Sequence, residues 1–369
     1  MARPRDGHLT MSPTGKAGRS AGPGRGPAGA PAAIALSPIL SARYRGKDLE
    51  RIRAAAPGAR LVTVSIEGLA DGPLDDVEVL LRGFLSAEAF DRLLARSPRL
   101  SWVHSASAGV ERVLTPAGLE RGLVVTNARG VFSDPIAEYV LMMILAVSRR
   151  LPQLLELQRE RTWQPLEGTE LHDVTVGIVG LGSIGMAVAR LAAAFGCQVV
   201  ATRRRGGTRT EGAAPGEGAA SAPAEESPGI ERVSGPEGLP DLLAESDFIV
   251  LAAPLTPETE GMIDEAALAS VKPGAWLINV ARGRLVDERA LLRALHEGPL
   301  GGAVLDTFRE EPLLPGSPFY ELPNVIVTPH TSWSSGRVLD RSVELFCDNL
   351  ERYAAAQPLL NVVDPTVGY

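Results

Sequence analysis

Cysteine is scarce: Cys197 and Cys347 are the two in 369 residues. They stand far apart and have no partners at metal-ligand spacing, so a disulfide framework and a cysteine metal site are both excluded. Reduced thiols are expected, and no metal. No apolar run nears the roughly 18 residues of a membrane span. The N-terminus lacks the apolar stretch of an export signal, which makes the cytoplasm the expected location. Surplus positive charge is missing too. The net charge of −7 gives no general attraction to nucleic acid or anionic membrane. Neither Gly-x-Ser-x-Gly nor His-Glu-x-x-His occurs, so serine hydrolases and zinc proteases lack their usual signals.

The chain has length enough for two domains, with an ordinary hydrophobic fraction of 45%. Residues 1–30 are mostly Gly, Pro, Ala, Arg and Ser without periodicity, and 1–32 reads as a disordered tail. Short apolar runs at 33–36, 61–65, 77–81, 102–104 and 124–127 alternate with helical stretches at 49–56 and 87–94. That alternation argues for a small parallel α/β unit. The small-residue segment 105–110 follows a strand end, where its N–H groups can face an anion. Ser133-Asp134-Pro135 then supplies a polar cap and an early proline for a long helix. Residues 137–150 are apolar on most faces, so this helix is expected to be buried between domains.

A second unit begins at 174. The spacing predicts a strand at 174–179, the turn Gly180-Leu181-Gly182-Ser183-Ile184-Gly185, a helix at 186–195 and a strand at 198–201. In that context the three glycines serve a tight turn, close approach of a pyrophosphate, and close helix–strand packing. The helix N-terminus offers free N–H groups to the phosphates. A carboxylate for the ribose hydroxyls is expected about 20 residues into such a unit, but here stands Thr202-Arg203-Arg204-Arg205. Arginine clamps a 2′-phosphate that a carboxylate would repel, so NADP(H) is expected over NAD(H), which remains possible. Residues 205–240, rich in Gly, Ala, Pro, Ser and Glu, read as a disordered surface insertion. Strands follow at 248–251, 275–279, 302–305 and 325–327, with helices at 265–270 and 288–296. A last helix at 341–356 is expected to pack back onto the first unit.

Three polar residues fall at strand ends on one edge of this second sheet. Arg282 can hold a carboxylate and polarise a carbonyl, His330 can exchange a hydroxyl proton, and Glu311 can keep the imidazole charged. His8, His172 and His296 look structural, and His104, beside the small-residue segment, stays ambiguous.

These blocks, over 33–369, resemble the D-isomer-specific 2-hydroxyacid dehydrogenases, of the glyoxylate/hydroxypyruvate reductase type. The resemblance is carried by residues 176–185, by Pro254-Leu255-Thr256-Pro257-Glu258-Thr259, by Asn279-Val280-Ala281-Arg282-Gly283 with Val286-Asp287, and by Thr328-Pro329-His330. The spacing from Arg282 to Glu311 also has the family's length. The resemblance implies an α/β chain in which a Rossmann-type NAD(P)-binding domain (133–334) is inserted into a flavodoxin-like substrate domain (33–132 and 335–369). Arg282, Glu311 and His330 become the implied catalytic set. The implied cofactor contacts are Gly180 to Gly185, Thr202, Arg203, Arg204, Pro254, Thr259, Val280, Ala281, Arg282, Asp306 (to the nicotinamide amide) and His330. For the substrate they are Ala108, Gly109, Arg282 and His330. The implied activity is reduction of a small 2-keto acid to a D-2-hydroxy acid by a homodimer, with Trp333 beside His330 favouring a larger or apolar side chain. A phosphoglycerate dehydrogenase-like NAD enzyme is an alternative, disfavoured by the arginines and by the chain stopping at Tyr369 without an appended regulatory domain. A non-enzymatic dinucleotide-sensing corepressor is another.

Overall fold

Alternation along the strands builds the first sheet. In β1 (Ala33–Leu36) all four residues are buried. Ala33 and Ala35 join one apolar cluster while Ile34 and Leu36 join another, the period-two signature of a strand covered on both faces. The computed structural model describes residues 29–39, 44–110, 112–204 and 229–365. Residues 1–28 of the expected tail, with His8, and 205–228 of the expected insertion lie outside the described residues.

After β1 come α1 (Gly46–Ala55), β2 (Arg60–Thr63), β3 (Val77–Arg82), α2 (Ala87–Arg96), β4 (Trp102–Ser105), α3 (Pro116–Glu120) and β5 (Val124–Asn127). The five strands are parallel in the order β2-β1-β3-β4-β5, the flavodoxin-like arrangement. α2, capped by the Ser86 hydroxyl on the Ala89 N–H, buries Phe90 and Leu93 against one face.

α4 (Ser133–Ser148) and α5 (Leu151–Arg159) lead away from that sheet. β6 (Thr175–Val179), α6 (Ser183–Ala194), β7 (Gln198–Thr202), β8 (Arg232–Ser234), α7 (Leu239–Glu245), β9 (Phe248–Leu251), α8 (Glu265–Ala269), β10 (Trp276–Asn279), α9 (Glu288–His296), β11 (Gly302–Leu305) and β12 (Val325–Val327) follow. Their seven strands are parallel in the order β12-β11-β10-β9-β6-β7-β8. The sequence order therefore reverses between β6 and β9, the doubly wound pattern that opens a ligand crevice at the carboxyl ends of the strands. α4 and α6 cover one face and α7, α8 and α9 the other.

α10 (Val338–Ala354) returns to the first sheet. It buries Val343, Phe346, Leu350 and Tyr353 against Ile34, Leu81 and Trp102, and the Tyr353 ring stacks on Trp102 at 5.3 Å between centroids. Beyond it the Val363 N–H donates to Val125 O at 2.8 Å, and the Asn127 N–H to Asn361 O at 3.1 Å. The chain's last described residues thus cover the free edge of β5. No helix among the described residues is long and apolar enough to cross a membrane.

Several expectations are corrected. α6 begins at Ser183, inside the glycine motif, because Gly182 is its N-cap. β8 and the first two residues of α7 lie within the stretch read as insertion; a three-residue edge strand leaves too little pattern to see. α5 went unread: none of its residues is buried, so it shows no core-facing stripe. Ser133 is the first helical residue rather than the cap, which falls on Phe132. α4 is not enclosed on all sides: it packs on the second sheet beside α6, with Met142 half exposed.

Candidate active site

β6 runs into a turn only glycine can make. Gly180 has φ +102°, and a Cβ there would lie 2.6 Å from the Ala253 backbone. At Gly185 a Cβ would sit 2.2 Å from Gly180 O, whereas at Gly182 it would meet nothing within 4 Å. Two glycines are therefore required by the fold, and the third faces open space, the side on which such a turn lets a pyrophosphate approach. The turn is held by the buried Thr202, whose carbonyl accepts the Gly180 and Leu181 N–H groups at 3.0 and 3.1 Å. Ser183, Ile184 and Gly185 open α6, so their N–H groups have no carbonyl a turn earlier in the helix.

Arg203 and Arg204 are exposed at the end of β7, the Arg203 N–H donating to Ser234 O of β8 at 3.0 Å. Across the crevice the Thr259 hydroxyl closes the Pro254 turn by donating to Pro254 O at 2.7 Å. The Glu258 carboxyl lies below its usual range, chiefly through a hydrogen bond from Thr256, with the Arg204 charge adding to it. Arg204 therefore lies near this turn as well as the end of β7.

At the end of β10 the Asn279 side chain clamps the next turn. Its Oδ1 accepts the Ala281 N–H at 3.1 Å and its Nδ2 donates to Arg282 O at 3.0 Å. Val280 and Ala281 are buried, and the half-buried Arg282 donates from one guanidinium nitrogen to Ala281 O at 2.8 Å. Gly283 lets this turn press on the loop after β11, since a Cβ there would be 1.9 Å from the Phe308 carbonyl carbon.

That second loop carries Glu311. Its Oε1 accepts the Phe308 N–H at 3.0 Å, and its Oε2 lies 2.7 Å from His330 Nδ1. Because a carboxylate only accepts, Nδ1 bears the proton and Nε2 is left for other partners. Burial by itself would push the Glu311 carboxyl up. Hydrogen bonds from His330 and Phe308, with the charges of His330 and Arg282, hold it below the ordinary carboxylate range. Both side chains of the pair remain 37% exposed, so the pair opens towards solvent. His330 has left-handed backbone, φ +49°, uncommon outside glycine and a mark of strained functional turns.

The structure places the other expected residues unevenly. Asp306 is fully buried and takes three hydrogen bonds from residues 328–332, so its carboxylate is committed to the His330 turn. Ala108 and Gly109 stand at the carboxyl edge of the first sheet, where Asn127 Nδ2 donates to Ala108 O at 2.9 Å. Neither of their N–H groups has an acceptor among the described residues, and no hydrogen bond joins them to the Arg282, Glu311 and His330 group. His104 is fully buried, with Nδ1 2.8 Å from Thr126 Oγ1, and burial pushes its imidazole down to about 3. Trp333 is half buried against the cluster of α4 and α6. Missed by the sequence reading were the Asn279 clamp, whose signal is an amide at a strand's last position, and Tyr139, a phenol in an apolar helix.

A doubly wound sheet with a glycine turn at its switch point defines a dinucleotide-binding protein. The model of the D-isomer specific 2-hydroxyacid dehydrogenase NAD binding domain matches residues 141–332. A glyoxylate reductase of Korarchaeum cryptofilum is 32% identical over 329 residues, covering 87% of this chain and 90% of its own length. The chain belongs to the D-isomer-specific 2-hydroxyacid dehydrogenase family, whose members are NAD(P)-dependent oxidoreductases. A D-3-phosphoglycerate dehydrogenase of Mycobacterium tuberculosis is 41% identical over 266 residues, 72% of this chain, but the match spans only 46% of that protein. Among solved structures, a D-isomer specific 2-hydroxyacid dehydrogenase from Xanthobacter autotrophicus Py2, in complex with NADPH and MES, superposes with a TM-score of 0.76 at 33% identity. It covers 92% of this chain and 100% of its own.

Proposed function

We propose that the protein reduces a small 2-keto acid to a D-2-hydroxy acid, with NADPH as the preferred cofactor. The observation that carries the reading is the 2.7 Å contact of His330 Nδ1 with Glu311 Oε2, beside Arg282, at the crevice edge of the doubly wound sheet. Arg282 and the N–H groups of Ala108 and Gly109 bind the substrate carboxylate and orient its carbonyl, and such positioning removes several kcal/mol of barrier. A nicotinamide held in the cleft would supply the hydride that the carbonyl carbon takes. His330 gives its Nε2 proton to the carbonyl oxygen, which leaves a C–OH group and a neutral imidazole still donating from Nδ1 to Glu311. Gly180 to Gly185 and the start of α6 hold the pyrophosphate, and Arg203 and Arg204 the 2′-phosphate. Thr202, Pro254, Thr259, Val280, Ala281 and Asp306 shape the walls of the same cleft. The Xanthobacter relative's NADPH complex and the Korarchaeum glyoxylate reductase support both parts of the reading.

We assign residues 33–132 and 335–369 to a substrate domain and 133–334 to the inserted nucleotide domain; the packing of α10 on the first sheet supports the division. Met142 on α4, Leu151, Leu154 and Leu155 on α5 and the fully exposed Trp163 after it are apolar side chains left in water, which a second copy would cover in a homodimer. Buried free thiols at Cys197 and Cys347 suit the cytoplasm.

The test is oxidation of NADPH, in parallel with NADH, against glyoxylate, hydroxypyruvate, pyruvate, phenylpyruvate and 3-phosphohydroxypyruvate. Fast NADPH oxidation with one of the first four is the expected result. An NADH preference discards the role given to Arg203 and Arg204. Preference for the phosphorylated acid favours the phosphoglycerate dehydrogenase reading, which the 41% identity to the mycobacterial enzyme supports. No turnover with any acid moves the weight to a nucleotide-sensing role.

Removing the carboxylate partner checks the proton donor. Glu311→Gln takes away the carboxylate 2.7 Å from His330 Nδ1, so keto-acid reduction should fall roughly tenfold or more. The Glu311 carboxyl is held low in the folded protein. Its pairing therefore contributes stability above the ordinary carboxylate range and loses it as pH falls through the lowered value. Unchanged turnover in the variant would remove Glu311 from the role.

A further inference from the structure

We infer that Tyr139 is a positioning residue for the His330 turn, acting through Thr328 and Asp306; the inference rests on His330 being the proton donor. Asp306 Oδ1 accepts the Thr328 hydroxyl at 2.6 Å and the Thr331 N–H at 2.8 Å, and Oδ2 accepts the Ser332 N–H at 3.0 Å. Its backbone carbonyl takes the His330 N–H at 2.9 Å. One buried residue thus anchors both flanks of a histidine held at positive φ.

The Thr328 hydroxyl is the side-chain donor among the three groups that hold the Asp306 carboxylate, and behind it stands Tyr139, 2.6 Å away. Thr328 has one hydroxyl hydrogen, and it goes to the carboxylate, so the phenol must be the donor in the short contact. Burial, with the nearby Asp306 charge, pushes the phenol up to about 12, and it stays a donor at any working pH. Tyr139 lies on α4, where the chain leaves the first sheet, and Thr328 follows β12, shortly before α10 takes the chain back. The relay ties the outgoing crossover to the turn that carries the proton donor. A hydroxyl buried in an apolar helix needs such a partner, because an unbonded one is costly to desolvate.

Steady-state kinetics with the best keto acid of the panel and saturating NADPH test the relay. Tyr139→Phe and Thr328→Val should each lower kcat about tenfold, less than the 100-fold that a full 1 Å misplacement costs. KM for the keto acid should stay within about twofold, since its carboxylate contacts are untouched. The double variant should be no worse than the poorer single, because both break one path. Thr328→Ser keeps the hydroxyl and should restore most of kcat. Unchanged kcat with only a lower melting temperature, or fully additive losses, would overturn the relay. An active wild type that His330→Gln inactivates, but Tyr139→Phe leaves intact, overturns the relay alone. An inactive wild type, or a fully active His330→Gln, overturns the functional reading and the relay together.

Discussion

Replacing Arg282 with alanine should lower kcat/KM for the keto acid about 1000-fold and change NADPH affinity by less than about twofold. Truncating one partner of a buried, hydrogen-bonded charge pair costs roughly 2–5 kcal/mol, and each 1.36 kcal/mol is a factor of ten in rate. The guanidinium is set for this work. The Asn279 clamp fixes its backbone, and its own bond to Ala281 O at 2.8 Å helps to orient the guanidinium. Lysine at 282 should recover little, because a point charge cannot reproduce bidentate recognition of a carboxylate. Kinetics on the keto acid and a fluorescence titration with NADPH measure the two quantities separately. Equal losses in both would mean that Arg282 serves the cofactor rather than the substrate.

Gly283→Ala should be nearly as damaging, although it adds one methyl group to a residue that touches neither ligand. The new Cβ would lie 1.9 Å from the Phe308 carbonyl carbon and 2.3 Å from the Arg309 nitrogen. These are backbone atoms, so no side-chain rotation relieves the clash. The turn holding Arg282 and the loop leading to Glu311 must then separate. A shift near 1 Å costs about 100-fold in kcat, and overpacking of this kind costs about 1–3 kcal/mol of stability. Kinetics and thermal melting on the same preparation check both. Activity within a few-fold of wild type would show that Arg282 and Glu311 need not be held so closely.

The strands were legible because parallel strands buried on both faces are short, apolar and bounded by turn residues, as at Phe248–Leu251 and Gly302–Leu305. The glycine turn was legible because its context, strand before and helix after, fits in thirty residues. The Arg282, Glu311 and His330 group was legible from their strand-end positions. The elements that escaped were those whose cause lies elsewhere in the chain. Helix α5 has no buried face of its own, and β8 exists because β7 offers it a ladder. The commitment of Asp306 to the His330 turn depends on hydroxyl and N–H groups more than 20 residues away. Nothing in local sequence reports a hydrogen bond between Tyr139 and Thr328.

The return of α10 also dictates when each half of the molecule can be finished during synthesis. The first sheet is made early, but the face carrying Ile34, Leu81 and Trp102 is covered by α10, and the β5 edge by residues 361–363. A ribosome translating residues 133–334 therefore carries a five-stranded sheet with one edge bare and one face covered by α1 but still without α10, while the seven-stranded sheet downstream completes itself from contiguous sequence. Folding begins at the N-terminus in order of emergence, yet this chain closes its earliest layer last. The uncovered edge and the part of the face awaiting α10 are surfaces open to wrong pairing for that whole interval.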